Sequence, residues 1–363
     1  MPFDPRSVAL VLGCLFATTA CSDPASEPRA AATPAAQANV PVVAAPSAPV
    51  TASASPQARA IDAAVLDPAV VDPEGMKTAM IRAQVLLDRA HLSPGVIDGR
   101  PGTNLTLALE AFQAARGLPV NGQLDKVSWE ALVASDGGPV MTDYVITAED
   151  VAGPFQPNIP KDDYEAMARL PALSFGDVVE ALAERFHIDE ALLRALNPGV
   201  DFTAAGTSIV VTAVGPDKLA GKVARIEIDK ARGQVRAFDD QSVQLAVYPA
   251  TVGSTERPAP TGEWAVNTVA PAPTYTYDPS RLTFGKPKGK LTIQPGPNNP
   301  VGSTWIDLTK DTYGIHGTPD PRLVNKRASH GCVRLTNWDA AELGAAVQKG
   351  AKVVFLGAET KAS

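Results

Sequence analysis

The pattern of apolar and polar positions changes character along the chain, and each change marks a unit. Val8 to Phe16 is a short unbroken apolar run. From Ser22 to about Val70, Ala, Pro and Val supply most of the apolarity, charges are few and no aromatic residue occurs. Such a tract buries too little surface to offset its chain entropy, which predicts a disordered or semi-extended linker over 22–70. In MKTAMIRAQVLLDRA, apolar residues return at helical spacing, with Met80, Ala83 and Leu87 on one face, ending before Ser93-Pro94-Gly95. Turns at Asp98-Gly99 and Asn121-Gly122 each lead into a further helical stripe, so residues 71–137 read as a small all-α module with Phe112, Leu118 and Trp129 in its core. Residues 138–218 read as a small α+β module. It holds two helices on either side of His187-Ile188-Asp189, a turn at Asn197-Pro198-Gly199 and a β-branched strand from Ser208 to Thr212. His187 reads there as a surface residue at a helix end.

From Lys222 the period becomes two. VARIEIDKARGQVRAF, SVQLAVYPATVG, GEWAVNTV, KLTIQPG and STWIDLT all alternate, which predicts a β-rich domain over 219–358 with a helix only near Asn337–Gln348. The Pro-rich stretch Ala270–Pro279 interrupts the alternation and reads as an excursion over the surface.

At 363 residues the chain has room for several domains, and its net charge of −7 without a basic block argues against a nucleic-acid partner. Arg6, the apolar run and the small residues ending at Ala20 have the layout of an export signal over 1–21, and the run is too short to span a bilayer. Cys21 closes this stretch and resembles the lipidated cysteine of a bacterial lipoprotein, which implies a periplasmic protein held to a membrane through a lipid anchor. Cleavage to a soluble periplasmic form is the alternative. Of the three cysteines, Cys14 and Cys21 fall within the export signal, so either route leaves Cys332 without an intramolecular partner.

Cys332 has chemistry around it. A thiol becomes a strong nucleophile when an imidazole removes its proton and stabilises the thiolate, and this domain holds two histidines, His316 and His330. His330 lies two residues before the cysteine, on the same face if the segment is extended. Gly331 between them lets a carbonyl approach the main chain, where the Gly331 and Cys332 N–H groups are placed to receive an oxyanion. A buried inert thiol, or zinc held by His316, His330 and Cys332, are the competing readings; no paired-cysteine or HExxH spacing supports the metal.

Three resemblances sharpen these expectations. The pattern carried by Asp98, Gly99, Phe112, Gln113, Gly117, Leu118 and Gly122 resembles the three-helix peptidoglycan-binding module of bacterial wall enzymes. GDVVEALAERF, LLRALNPG and GTSIVV resemble a LysM-type glycan-binding module, with Val178-Val179 in place of the usual threonine-leucine. His316-Gly317-Thr318, followed by Ser329-His330-Gly331-Cys332-Val333-Arg334-Leu335 and preceded by TVGSTERPAPTGEW, resembles the signature of the L,D-transpeptidase catalytic domain. That last resemblance implies a mixed β-sandwich fold with Cys332 as nucleophile and His316 as general base. The Gly317 carbonyl would orient His316, and His330 and Gly331 would shape the oxyanion region. Arg334 and Ser329 would contact the stem peptide. It implies no cofactor and no metal, and peptidoglycan stem peptides and glycan as partners. The reaction it implies is acyl transfer from a tetrapeptide stem to a neighbouring stem amine, a 3→3 cross-link. The same thioester given to water would make a carboxypeptidase or cross-link hydrolase, and given to a protein lysine would attach that protein to the wall. A non-catalytic wall-anchoring protein is the reading from another class.

Overall fold

The computed structural model describes residues 51–66, 72–161, 163–253, 258–280, 289–326 and 331–358. The segment read as an export signal, with Cys21, the expected linker before residue 51, and the site candidates Ser329 and His330 lie outside the described residues.

The first helix, α1 (Pro56–Asp62), stands inside the segment expected to be an unstructured linker. Ala58 and Ile61 are buried on it, and Asp62 accepts from the backbone N–H groups of Val140 and Met141. An Ala-rich sequence that cannot fold alone has a partner surface here, and that burial offsets the ordering cost its composition implied.

Three helices follow as expected: α2 (Pro73–Arg89), α3 (Thr103–Ala115) and α4 (Lys126–Ser135). α2 starts where Asp72 accepts from Gly75 N at 2.7 Å with Pro73 in the first turn, and α4 where Asp125 accepts from Ser128 N at 2.8 Å. Gln113 is buried and serves the Asn121-Gly122 turn with both ends of its amide. Its Oε1 accepts from Asn121 N and Gly122 N, each at 2.9 Å, while Nε2 donates to Asn121 Oδ1. Phe112 and Trp129 are in the core and Leu118 packs against it.

The next unit runs β1 (Met141–Val145), α5 (Ala148–Ala152), α6 (Tyr164–Met167), α7 (Val178–Arg185), α8 (Glu190–Leu196) and β2 (Ser208–Thr212). β1 and β2 pair antiparallel from Met141↔Thr212 to Val145↔Ser208. Thr142 and Asp143 are consecutive polar residues on opposite faces of the first strand, so its alternation is faint in the sequence. The two modules read as separate share one hydrophobic cluster, in which Ile81, Leu86 and Phe112 meet Val179, Leu182, Phe186 and Val211.

The β-rich domain comprises β3 (Val223–Asp229), β4 (Gln234–Phe238), β5 (Gln244–Pro249), β6 (Thr251–Val252), β7 (Gly262–Pro271), β8 (Tyr275–Tyr277), β9 (Leu291–Ile293), β10 (Thr304–Leu308), β11 (Gly314–His316), β12 (Val333–Arg334), α9 (Asn337–Ala346) and β13 (Val347–Leu356). Nine strands form a mixed sheet in the order β5-β4-β3-β13-β7-β10-β11-β12-β6. β7 joins its halves: residues 262–265 pair with β13 and residues 266–271 with β10. Val223, Ile226 and Tyr248 from one half and Ile306, Ile315, Val333 and Leu335 from the other meet in one core, closed by Ala340 and Leu343 of α9. The Pro-rich stretch leaves this sheet, and among the described residues β8 and β9 pair only with each other. The edge strand β5 is covered by the first module: Ser93 N donates to Val247 O and Val247 N to His91 O, both at 2.9 Å.

His187 departs from expectation. It is 2% exposed, not on the surface. Nδ1 lies 3.1 Å from Asp88 Oδ1 on α2, Nε2 lies 3.4 Å from Asp217 Oδ1, and the ring stacks on Trp338 of α9 at 4.8 Å. All three modules meet at this imidazole. Sequence position placed it after α7; tertiary docking buried it.

Candidate active site

Short strands place the reactive groups. β11 pairs parallel with β12, Ile315 opposite Val333 and His316 opposite Arg334, and antiparallel with β10, Trp305 opposite His316. Paired residues project to one side of a sheet, and so do residues two apart, so Trp305, Gly314, His316, Arg334 and Cys332 line one face. The opposite faces of these strands carry Ile306, Ile315 and Val333 into the core. The alternation that builds the core thus also aligns the chemistry.

His316 is 5% exposed and stacks against Trp305 with ring centroids 5.6 Å apart. Its Nδ1 lies 2.6 Å from Gly317 O. A carbonyl can only accept, so Nδ1 carries the proton and Nε2 is left with its lone pair, the tautomer a base requires. Burial, followed by the nearby Arg334 charge, pushes the imidazole pKa down to about 3, although the Gly317 bond raises it.

Cys332 is half-buried, with Sγ 3.8 Å from Thr312 O. Burial raises the thiol pKa, while a Gly314 backbone contact and Arg334 lower it. Burial thus favours the thiol form of Cys332 and the neutral form of His316. Gly331 sits at φ +110°, a conformation that side chains resist, and a Cβ there would lie 3.0 Å from the Tyr313 ring. Glycine is required at this position for backbone reasons.

Arg334 projects to the same face, and its Nε is buried with no hydrogen-bond partner among the described residues. Burial, the first cause, lowers its pKa; the charges of Cys332, Tyr164 and Asp320 oppose this. A desolvated cation beside a nucleophile fits an anionic substrate group. Among the expected site residues, Cys332, His316, Gly317, Gly331 and Arg334 are brought together.

Several neighbours were not legible in the sequence. Trp305 occupies the space over Gly314, where a Cβ would lie 2.5 Å from its ring. Tyr164, on α6 of the preceding module, meets Tyr275 and Tyr277 with ring centroids 5.8 and 5.3 Å apart. Leu173 N donates to Pro295 O and Asn298 N to Leu173 O, each at 2.9 Å, and Lys161 Nζ lies 2.8 Å from Asp320 Oδ1. The segment from Lys161 to Leu173 therefore docks beside the site from outside the catalytic domain. Its only sequence signal is its length, an insertion between β1 and α7.

Comparison with known proteins points to one family. The family model of the L,D-transpeptidase catalytic domain matches residues 223–355, and that of a peptidoglycan binding domain matches residues 77–132. A Bacillus licheniformis protein named as the L,D-transpeptidase YkuD is 28% identical over 181 residues, 49% of this chain and 93% of that protein. A Bacillus subtilis protein named as the L,D-transpeptidase YqjB is 31% identical over 134 residues, 35% of this chain and 68% of that one. The crystal structure of L,D-transpeptidase 3 from Mycobacterium tuberculosis aligns over 42% of this chain and 76% of its own, at 15% identity and a TM-score of 0.31. With the catalytic and wall-binding models both matched and a relative above 30% identity covered over most of its length, this chain belongs to the L,D-transpeptidase family.

Proposed function

We propose that the protein cross-links peptidoglycan stems by way of a Cys332 thioester. The carrying observation is the His316 tautomer: Nδ1 is committed to Gly317 O, on a strand paired directly with the one that follows Cys332. Sγ attacks the carbonyl of the third stem residue while its proton passes to His316 Nε2. The Gly331 and Cys332 N–H groups receive the oxyanion, a contribution of about 3–4 kcal/mol per donor. The C–N bond breaks, and the imidazolium returns its proton to the departing D-alanine amine. In the second half an amine of a neighbouring stem attacks the thioester, gives its proton to Nε2 and forms the new amide, and the thiolate leaves and recovers that proton. The Arg334 guanidinium pairs with a stem carboxylate.

The unit from β1 to β2 is read as a degenerate LysM-like module, supported by the pairing of its two strands and by α7 and α8 between them. Pull-down on purified sacculi by the chain with and without residues 138–218 tests its glycan binding; equal retention would sink it. The export signal and lipidation at Cys21 are read from sequence, and a mature protein that takes up no labelled palmitate would sink the anchor. Among the described residues no helix is long and apolar enough to cross a membrane.

Two measurements test the enzymatic reading. Intact-mass spectra after treatment with a carbapenem should show one adduct, absent from Cys332→Ala. Muropeptide analysis of sacculi should show 3→3 linked dimers. Shortened tripeptide stems without dimers would replace cross-linking with hydrolysis, and an unchanged profile with no adduct would overturn the enzymatic reading.

A further inference from the structure

Helix α7 belongs to the module before the catalytic domain, yet a carboxyl on its last turn ends inside that domain. Glu184 Oε1 and Oε2 accept from Asn337 Nδ2 at 2.7 and 3.0 Å. Asn337 opens α9 and is 4% exposed. Its amide is used at both ends: Nδ2 also donates to Pro297 O at 3.1 Å, and Oδ1 accepts from Ser303 N at 3.0 Å.

Three backbones converge on that amide. A Cβ at Gly302 would lie 2.1 Å from Asn337 Oδ1 and 2.5 Å from the Gly317 carbonyl carbon, and a Cβ at Gly317 would also lie 2.1 Å from Asn337 Oδ1. Both glycines are thus closed against Asn337, so its placement sets theirs. Gly317 is the residue whose carbonyl accepts the His316 Nδ1 proton. The contacts run without a gap from α7 to the catalytic imidazole.

Docking alone leaves the site of this carboxyl unexplained. Helix ends of the same module already meet the catalytic domain through a partly buried ion pair, Arg322 Nε to Asp189 Oδ2 at 2.7 Å. A carboxyl enclosed at an interface is costly unless hydrogen-bonded, and a single asparagine receives both of its oxygens. Burial raises its pKa to about 8; the Asn337 bond lowers it, Glu180 on the same helix raises it and His187 lowers it. At neutral pH the group is mostly the neutral acid.

We propose that Glu184 is a positioning residue for the general base: by holding Asn337 against Gly302 and Gly317, it keeps the carbonyl that fixes the His316 tautomer in place. This rests on the acyl-transfer reading of Cys332 and His316. The unit between the peptidoglycan-binding helices and the catalytic domain is then a structural part of the catalytic centre.

The test uses the full chain with Glu184→Ala and Glu184→Gln, read by the His316 Nδ1–H proton resonance and by steady-state kinetics on a tetrapeptide donor. In Glu184→Ala the resonance broadens through exchange with water and kcat falls roughly ten-fold or more, since displacement of a catalytic group by ~1 Å can cost 10²-fold. KM stays within about two-fold, because no donor contact is removed. Glu184→Gln retains an acceptor oxygen for Asn337 Nδ2 and restores the resonance and most of kcat. Should Glu184→Ala not fold, Glu184→Met keeps the packing while removing both acceptors and is read in the same way. A sharp resonance and wild-type kcat in the Ala or Met variant overturn the proposal, as does a change in KM alone. A wild-type enzyme that turns over no donor overturns the acyl-transfer reading instead; the resonance still reports on the positioning by itself.

Discussion

His316 and His187 are both buried and both lie nearly flat against an indole, at 5.6 Å from Trp305 and 4.8 Å from Trp338. Their neighbours drive them to opposite charge states. At His316, burial and Arg334 outweigh the Gly317 carbonyl, and the pKa falls to about 3. At His187, burial also pulls the pKa down, but the Asp88 charge and the hydrogen bonds that the ring donates to Asp217 and Asp88 overcome it, and the net shift is upward. A neutral imidazole with a free Nε2 can take a proton. A cation held between two carboxylates cannot; it clamps α2, the segment carrying Asp217, and α9 together. The residue type is shared, and the partners decide between a proton acceptor and a brace.

The largest expected effect breaks the catalytic half of this contrast. Cys332→Ala abolishes donor turnover, and His316→Ala lowers kcat about 10²–10⁴-fold, the range for loss of a positioned base, with retained chain folding by circular dichroism. A His316→Ala enzyme within two-fold of wild type would remove that residue from the mechanism.

The structural half breaks differently. His187→Ala leaves Asp88 and Asp217 facing each other without their cation, and removing one partner of a buried pair costs about 3–5 kcal/mol. Urea unfolding should show that loss as a lower midpoint. Unchanged stability would mean the cluster is solvated.

The state of the thiol sharpens the contrast. With His316 neutral and Cys332 raised, iodoacetamide alkylation should accelerate steadily from pH 6 towards pH 9 and beyond. A rate already level at pH 6 would mean a preformed thiolate–imidazolium pair, and the pKa directions above would be wrong.

The smallest effect is in the pH dependence of stability. Glu184 and Asp339 both reach about 8 in the folded protein, chiefly through burial. The native state then holds protons that the unfolded chain has released, so stability declines as pH rises through this range. The raised His187 acts with the same sign, since its contribution is lost as pH climbs past its folded value. His316, at about 3, is already neutral in both states above pH 7 and adds nothing there. Between pH 7 and 9 each carboxyl should remove roughly 1 kcal/mol. Asp339→Asn should flatten the slope, and a slope unchanged by it would exclude Asp339 as a source.

Much of this was legible in the chain. The period of two announced the β-rich domain and the placement of its only late helix, and helical stripes with Gly turns announced α2 to α4, because both signals arise from residues close in sequence. The motif around Cys332 with His316 was equally plain, since a lone thiol closely preceded by two histidines is chemically unusual. What escaped notice depends on distant packing. Nothing local marks His187 as buried, Glu184 as a partner of Asn337, or Tyr164 as a neighbour of Tyr275, since each contact joins modules far apart in the chain. α1 was missed for the same reason: its composition cannot fold alone, and the surface of β1 and α2 that stabilises it lies elsewhere in the sequence.

Trapping the acyl-enzyme tests the central claim most directly. The full chain is mixed with a tetrapeptide stem, quenched in acid within the first turnover, digested, and the Cys332 peptide weighed. The expected result is a Cys332 peptide heavier by the donor acyl group without its terminal D-alanine, absent from Cys332→Ala and slowed in His316→Ala. D-alanine released while Cys332 stays unmodified, or no release at all, would contradict it.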